Sequence, residues 1–353
     1  MQALVTVPGV PHSTRVEEVP PPERVPGTVL LRPVEVGVCG TDREISEGLF
    51  GVAPDDADRL VLGHEVLALV EEDGFGFSRG DLVAATVRRS CGRCEACAEG
   101  SPDACETGLY VERGITRLDG FARDLVAEWP DQLVAVPPAL GRLGVLAEPG
   151  SVCARALRHV RAVGGRQHWS PRRALVVGAG AIGMLATYFL RLEGIDVWTS
   201  SQEPAGSPKA ELVAAAGATY VPVAATTPAE LAAAVGGFDV VIEAAGDAQA
   251  MLEALALLRR NGVACLLGLD GRPQQVAIDG PVVGVDAVLQ NRAVFGSVNA
   301  RRDDWHAAVD LLDRARARWP DALEEFVGCR VPLDAFADAF GFRGVKATLV
   351  LDS

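Results

Sequence analysis

The sequence lacks the features that would place a chain in or on a membrane. No apolar segment reaches the roughly 20 residues that a helix needs to cross a bilayer, and residues 1–8 resemble no secretory signal. Runs of lysine and arginine are also absent, while the formal net charge is -14. This charge repels polyanions, which excludes nucleic acid and anionic lipid as favourable partners. We therefore expect a cytoplasmic protein whose partner is a small-molecule substrate.

Cysteine is too scarce for a disulfide-stabilised scaffold, because the 353 residues contain only eight. Four of them lie close together, at Cys91, Cys94, Cys97 and Cys105. In a reducing compartment this spacing favours four thiolates around a tetrahedral Zn²⁺, with no position left for substrate. Paired disulfides and unrelated free thiols are the alternatives. We predict a closed structural zinc site that stabilises its lobe and performs no chemistry.

Two patterns of strands divide the chain, whose length exceeds the size at which a single core usually stops growing. Up to about residue 136, short strands broken by glycine and proline predict a β-rich lobe. After residue 149, six strand candidates with helices between the earlier ones predict an α/β domain with a doubly wound parallel sheet. The tail ends in a strand that we expect to return to the first lobe. The predicted domains are 1–150 with 297–353, and 151–296.

A glycine-rich turn opens the predicted parallel sheet. The segment Gly178-Ala-Gly180-Ala-Ile182-Gly183 lies directly between an apolar strand and a helix. A strand, a tight turn and a helix N-terminus in this order are what a pyrophosphate needs. A turn without a ligand is the alternative. The context favours dinucleotide binding.

The residues that choose between NAD and NADP are less regular. The second strand ends in Ser200 and Ser201, followed by Gln202 and Glu203, where an acidic residue is usual. The two serines have room for a 2′-phosphate but bring no positive charge to it, whereas Glu203 reaches a 2′-hydroxyl if its loop folds back. An ordinary solvated loop is the alternative. We expect NAD or NADP, with a weak preference for NAD.

Several separated motifs contain residues that bind zinc in other proteins. These are, in chain order, Cys39-Gly40-Thr41-Asp42, His64-Glu65 and Glu148-Pro149. A cysteine, a histidine and two glutamates are competent ligands, although spacing alone fits buried core residues equally well.

Taken together and in this order, these motifs, the four-cysteine loop and the glycine-rich turn resemble the zinc-containing medium-chain dehydrogenase family over essentially the whole chain. The segments around Glu112, Glu148 and Asn299 look like archaeal-type glucose dehydrogenases, and residues 86–89 look like their haloarchaeal members. The resemblance implies a GroES-like β-rich catalytic domain and a Rossmann domain.

The family resemblance also implies roles for single residues. The ligands of a catalytic zinc match Cys39, His64 and Glu148, and Glu65 matches an alternative or water-linked ligand. Thr41 matches a hydroxyl that relays the substrate proton. The implied reaction is hydride transfer between a hydroxyl of a sugar-like substrate and NAD(P), for which zinc acts as the Lewis acid. The family also implies a homodimer or homotetramer.

Glu112 and Asn299 match positions close to the sugar or the nicotinamide. A surface salt bridge with Arg113 or Arg117 is the alternative for Glu112. In related NADP-using members an arginine pair occupies the positions of Ser200 and Ser201, so the coenzyme does not follow from the resemblance.

Two other functions compete with the sugar dehydrogenase. One is a dehydrogenase of a polyol, a cyclitol or a biosynthetic secondary alcohol, with an anionic substrate if Arg88 and Arg89 face the cleft. The other is a non-catalytic zinc- or dinucleotide-binding protein, which the intact set of potential ligands disfavours.

Overall fold

The structure, a computed structural model, describes residues 1–269 and 271–351 and forms two compact units. The first unit comprises Met1–Ser151, Asn299–Asp313 and the chain from Val327 onwards, and the second comprises Val152–Val298 and Arg314–Phe326. Residues 314–326 thus differ from the predicted boundaries, which assigned them to the first domain. The physical reason is aromatic packing, because the buried ring of Tyr188 contacts Trp319 and Phe326 edge-on at centroid distances of 5.1 and 4.8 Å.

The N-terminal part of the chain consists of short strands and single helical turns. In chain order these are β1 Gln2–Thr6, β2 Arg15–Glu18, β3 Val29–Val38, α1 Gly40–Ser46, β4 Leu60–Val61, β5 Glu65–Val70, β6 Leu82–Ala85, β7 Arg88–Arg89, α2 Glu95–Ala98, β8 Val111–Arg113, β9 Arg117–Leu118, β10 Val126–Glu128 and β11 Leu133–Ala135, with 3₁₀ helices at Pro102–Ala104, Pro130–Gln132 and Pro138–Leu146. The many glycines and prolines between them keep each element short.

The second unit alternates strands and helices. They are α3 Ala147–Gly164, which begins in the first unit, β12 Arg173–Val177, α4 Ala181–Leu192, β13 Asp196–Ser201, α5 Pro208–Ala215, β14 Thr219–Pro222, α6 Pro228–Val235, β15 Phe238–Glu243, α7 Ala248–Leu257, β16 Leu258–Leu266, a π-helical turn Val282–Asp286, α8 Ala287–Leu289 and β17 Ala293–Gly296. The six strands are parallel, in the order β14-β13-β12-β15-β16-β17. This is the strand order of a Rossmann sheet, and it confirms the predicted fold class.

The C-terminal segment adds α9 Arg302–Arg318, α10 Pro320–Glu324, β18 Val327–Pro332, a 3₁₀ turn Leu333–Ala335, α11 Phe336–Gly341 and β19 Lys346–Val350. Strand β19 pairs with β3 in antiparallel register, with Ala347 opposite Val38. Strand β5 pairs with the other edge of β3, with Glu65 opposite Gly37. The ends of three strands therefore meet directly before Cys39. Among the described residues, no helix is both long enough and apolar enough to span a bilayer.

Candidate active site

The ends of β3 and β5 bring together three of the predicted ligands. Cys39 follows β3 and caps the N-terminus of α1, while His64 directly precedes β5 and Glu65 is the first residue of that strand. One potential ligand atom from each of Cys39, His64 and Glu65 lies within 4.8 Å of the other two. Sγ of Cys39 is 3.3 Å from Nε2 of His64. A thiolate, an imidazole and a carboxylate at this separation form a donor set that fits Zn²⁺.

Asp42 organises two of these ligands, a role that the sequence analysis missed. One of its carboxylate oxygens is 3.5 Å from Nδ1 of His64, and the other accepts a 2.9 Å hydrogen bond from the backbone N–H of Cys39. Burial alone would lower the pKa of His64, but Asp42 and Cys39 raise it well above its usual value. A carboxylate on the far nitrogen commonly orients a histidine that binds metal. The available signal was the position of Asp42 in the motif that contains Cys39.

Lys346 is a second missed residue of this site. Its ammonium group is buried and forms an ion pair with Glu65. Burial would lower the pKa of Lys346, but Glu65 and Cys39 raise it, so the side chain stays protonated. Gly37 makes room for the pair, because a Cβ there would collide with the Glu65 carboxylate and lie 2.9 Å from Cε of Lys346.

The carboxylate of Glu148 lies outside the compact group of three, although it belongs to the same electrostatic environment. It occupies the first turn of α3. Burial and the nearby Glu65 raise the pKa of Glu148 to about 7, against the opposing effects of His64 and Lys346. The resemblance ranked Glu148 ahead of Glu65 as a ligand, whereas the structure groups Glu65 with Cys39 and His64. Glu65 reaches this group because it lies opposite Gly37 in the register of β5 with β3, two residues before Cys39.

Thr41 lies on the first turn of α1, immediately beside this group. Its backbone N–H points at Sγ of Cys39, at 3.3 Å. The residue predicted to relay the substrate proton is therefore adjacent to a predicted ligand.

The four cysteines between 91 and 105 form the second candidate metal site. All four are free thiols, with Sγ separations of 3.9 Å for Cys91–Cys97, 3.3 Å for Cys94–Cys97 and 4.0 Å for Cys94–Cys105. A disulfide would need about 2.05 Å, whereas thiolates at about 2.3 Å from a tetrahedral zinc lie roughly 3.8 Å apart. The donor set fits a closed zinc site.

The glycine-rich turn has two glycines that packing requires and one that faces open space. Gly178 has φ +103°, and a Cβ there would lie 2.8 Å from the carbonyl carbon of Ala244. A Cβ on Gly183 would collide with the carbonyl oxygen of Gly178. At Gly180, the N-cap of α4, no protein atom lies within 4 Å of the Cβ position. This space at a helix N-terminus fits a pyrophosphate. Ile182 lies in the first turn of α4.

Ser200, which was predicted to lie at the coenzyme, has a fully buried side chain. Its carbonyl accepts the N–H of Gly178 at 2.8 Å, so its backbone contacts the glycine-rich turn. Ser201, at the end of β13, remains the accessible hydroxyl. The next charged residue, Glu203, forms an ion pair of 2.6 Å with Lys209. The sequence analysis missed this cation because Lys209 lies one element further along, at the start of α5.

Glu112 forms an ion pair, but not with either arginine that the sequence analysis named. Its Oε1 accepts a 2.9 Å hydrogen bond from Nε of Arg88, because β7 and β8 pair with these two residues opposite each other. Arg113 instead contacts Glu128, and Arg117 faces Asp55. Asn299 has φ +65°, and its buried Nδ2 has no hydrogen-bond partner among the described residues.

Comparison with known proteins assigns the chain to a family. Residues 25–138 match the alcohol dehydrogenase GroES-like domain, and residues 141–351 match the glucose dehydrogenase C-terminus. The glucose 1-dehydrogenase of Methanocella arvoryzae is 39% identical over 350 residues, which cover 98% of this chain and 97% of that protein. The chain belongs to the glucose dehydrogenase family. This result confirms the family that the sequence motifs predicted.

Other members of the glucose dehydrogenase family agree in extent and fold. Glucose 1-dehydrogenase 1 of Caldivirga maquilingensis is 40% identical over 356 residues, covering 100% of this chain and 99% of that protein. Among solved structures, the Haloferax mediterranei glucose dehydrogenase in complex with NADP, Zn and gluconolactone is 30% identical, with a TM-score of 0.92 over the full length of both chains. The GroES-like and Rossmann parts of the fold prediction are both confirmed.

Proposed function

We propose that this member of the glucose dehydrogenase family oxidises a hydroxyl of an aldose, with glucose as the first candidate, and passes the hydride to NAD(P). The observation that carries the proposal is the grouping of Cys39, His64 and Glu65 in a chain that matches glucose 1-dehydrogenases over its full length. The Haloferax structure, with its NADP, Zn and gluconolactone, supports the same chemistry.

We infer two zinc ions per chain. The four cysteines hold one, and Cys39 and His64 hold the other, with Glu65 or Glu148 completing the set. Zinc at the second site supplies the Lewis acid that favours loss of the hydroxyl proton, and the oxidised nicotinamide accepts the hydride.

The chain's own residues prepare this step. Asp42 orients His64, and Lys346 holds one oxygen of Glu65, so the ligand group is arranged by buried charges. Thr41, beside Cys39, provides the hydroxyl for proton transfer.

The surroundings of the ligand group suit an uncharged polyhydroxylated substrate. The turn after Glu112 packs on the residue before His64, because a Cβ on Gly114 would lie 2.5 Å from the carbonyl oxygen of Gly63. Arg88 engages Oε1 of Glu112, and no described residue forms a hydrogen bond to Oε2, which can accept sugar hydroxyls. Asn299, which the family resemblance places near the sugar or the nicotinamide, has an amide donor without a hydrogen-bond partner among the described residues.

An anionic substrate is disfavoured by the same geometry. The charge of Arg88 is balanced by Glu112, and Arg89 forms a 2.6 Å ion pair with the buried Glu128. The second candidate is therefore a neutral polyol or cyclitol.

We also propose a weak preference for NAD, since Glu203 neutralises Lys209, a cation that follows β13 in the chain. A cytoplasmic homodimer or homotetramer is supported by exposed apolar side chains along edge strand β17 and the helical segment before it, namely Val283, Val285, Val288, Leu289 and Val294.

The proposal is tested with a panel of aldoses, cyclitols and simple alcohols, assayed with both coenzymes by absorbance of the reduced nicotinamide. We expect aldoses to be the best substrates. Glu112→Gln should lower kcat/KM for an aldose by about one to two orders of magnitude, because it weakens a charge-assisted hydrogen bond worth roughly 1.5–3 kcal/mol. Slow turnover of a monohydroxy alcohol should hardly change.

The matched control is Glu23→Gln, which alters an exposed carboxylate outside the site. If the wild-type enzyme prefers simple alcohols to every sugar, the sugar assignment is wrong. If Glu112→Gln slows both substrate classes equally, Glu112 is structural.

A further inference from the structure

Arg88 makes three separate contacts with a single, nearly buried guanidinium group. Nε donates to Oε1 of Glu112 at 2.9 Å, and Nη1 donates to the backbone carbonyl of Asp103 at 3.0 Å. The guanidinium carbon also lies 3.8 Å above the ring centre of Tyr110. The side chain is only 11% exposed. Its position is therefore fixed from three directions.

These contacts use properties that only arginine has. The planar guanidinium presents donors at fixed angles and one flat face, so it can stack on Tyr110 while bonding two acceptors that point in different directions. A lysine in the same place supplies the charge but has neither the fixed planar set of donors nor the flat face. The backbone reinforces the geometry, because the N–H of Arg113 donates to the carbonyl of Val87 at 3.0 Å.

The hydrogen bond from Arg88 to the carbonyl of Asp103 links Glu112 to the four-cysteine loop. Asp103 lies in the 3₁₀ helix that leads into Cys105. Its neighbour Pro102 accepts a second hydrogen bond at 2.5 Å, from the hydroxyl of Ser90. Two adjacent carbonyls of the loop are thus bonded to β7 and the residue that follows it. Any change in the conformation of the loop is passed to Arg88 and, through its guanidinium, to Glu112.

We propose that Arg88 is the positioning residue that holds Glu112 for sugar binding and couples it to the folding of the four-cysteine loop. The proposal rests on the sugar dehydrogenase function argued above. It gives the loop a part in substrate affinity, in addition to its part in stability.

The experiment compares Arg88→Met with Arg93→Met, which removes the same charge from an exposed position in the four-cysteine loop. We expect Arg88→Met to raise KM for the aldose about tenfold and to leave kcat within about threefold. Arg93→Met should match the wild type. Zinc content, measured by elemental analysis, should stay the same in all three proteins.

A double-variant cycle separates positioning from a general structural role. If Arg88 acts through Glu112, adding Arg88→Met to Glu112→Gln should change kcat/KM less than about twofold. Tyr110→Leu removes the ring on which Arg88 stacks and should also raise KM for the aldose. This second variant tests the proposal even if Arg88→Met does not fold.

Three results would overturn the proposal: additive losses in the double variant, loss of zinc in step with loss of activity, or an unchanged KM in Arg88→Met and Tyr110→Leu. The proposed function fails separately, if the wild-type enzyme oxidises no aldose at all.

Discussion

Lys209 shows how one side chain changes the expectation for coenzyme choice. From the sequence, Ser200 and Ser201 offer no cation to a 2′-phosphate. In the structure the nearby Lys209 forms an ion pair of 2.6 Å with Glu203, the second residue after β13. We propose that this ion pair keeps Lys209 from a 2′-phosphate and so contributes to the preference for NAD.

Replacing Glu203 by glutamine should therefore favour NADP. The ratio of kcat/KM for NADP to that for NAD should rise about tenfold, because Lys209 becomes free to pair with the 2′-phosphate. The coenzyme dissociation constants, measured by fluorescence, should shift in the same direction. Ser201→Arg should also move the ratio towards NADP.

Adding Lys209→Met to Glu203→Gln should cancel the change in coenzyme preference. The matched control is Glu211→Gln, which alters an exposed carboxylate on α5, the helix that contains Lys209. A wild-type enzyme that already prefers NADP tenfold or more would contradict this account, since the ion pair would then not restrain Lys209.

At the scale of elements, the contact between the turn after β8 and the residue before His64 has no spare room. Gly114 has φ +68°, and its Cβ position is 2.5 Å from the carbonyl oxygen of Gly63 and 2.7 Å from its carbonyl carbon. Backbone therefore lies directly on backbone. This contact sets the distance between β8, which contains Glu112, and the segment before β5, which contains His64.

Gly114→Ala should disturb both stability and activity. We expect a loss of about 2–4 kcal/mol in the free energy of unfolding, from the left-handed φ together with the forced displacement of Gly63. Turnover should fall as well, because His64 moves with its neighbour. Thermal unfolding and steady-state kinetics measure the two effects.

Gly108→Ala is the matched control, because Gly108 has φ +67° and nothing within 4 Å of its Cβ position. It should cost only the conformational strain, about 1–2 kcal/mol, and leave turnover unchanged. Equal losses in the two variants would mean that the contact with Gly63 is unimportant.

The elements themselves could be predicted well from local patterns. The six strands predicted after residue 149 are observed as β12 to β17, and the final strand predicted to return to the first lobe is observed as β19, which pairs with β3. Alternation of apolar residues and the positions of glycine and proline carry this information.

Two of the missed partners depend on pairing between strands that are separate in the chain. The ion pair of Glu65 with Lys346 requires β19 beside β3, and that of Glu112 with Arg88 requires the register of β7 against β8. Neither register can be read from one strand alone. The burial of Ser200 was accessible in principle, because neighbouring strand residues point to opposite faces.

On the scale of the whole molecule, the two metal sites should release zinc at different rates. The four-cysteine site is closed, whereas the site of Cys39 and His64 must keep a position open for substrate. Brief chelation should remove one zinc per chain together with activity and leave the thermal unfolding midpoint nearly unchanged. Prolonged chelation should remove the second zinc and destabilise the first domain. Elemental analysis, kinetics and thermal melts follow the two stages.

Cys39→Ala should abolish turnover while the protein stays folded, and Cys94→Ala should lower stability. Cys329→Ala, outside both sites, is the control. A fully active enzyme that contains one zinc per chain would rule out this division of roles.

The place of Lys346 in β19 also affects the order of events during synthesis. The four cysteines leave the ribosome within a short stretch of chain, so their loop can acquire zinc while later residues are still being added. The group of Cys39, His64 and Glu65 has no counter-charge for Glu65 until β19 has been made and has paired with β3. If both sites bind zinc as proposed, we expect the four-cysteine site to load first and the site of Cys39 and His64 to load only after the Rossmann domain and β19 have been synthesised.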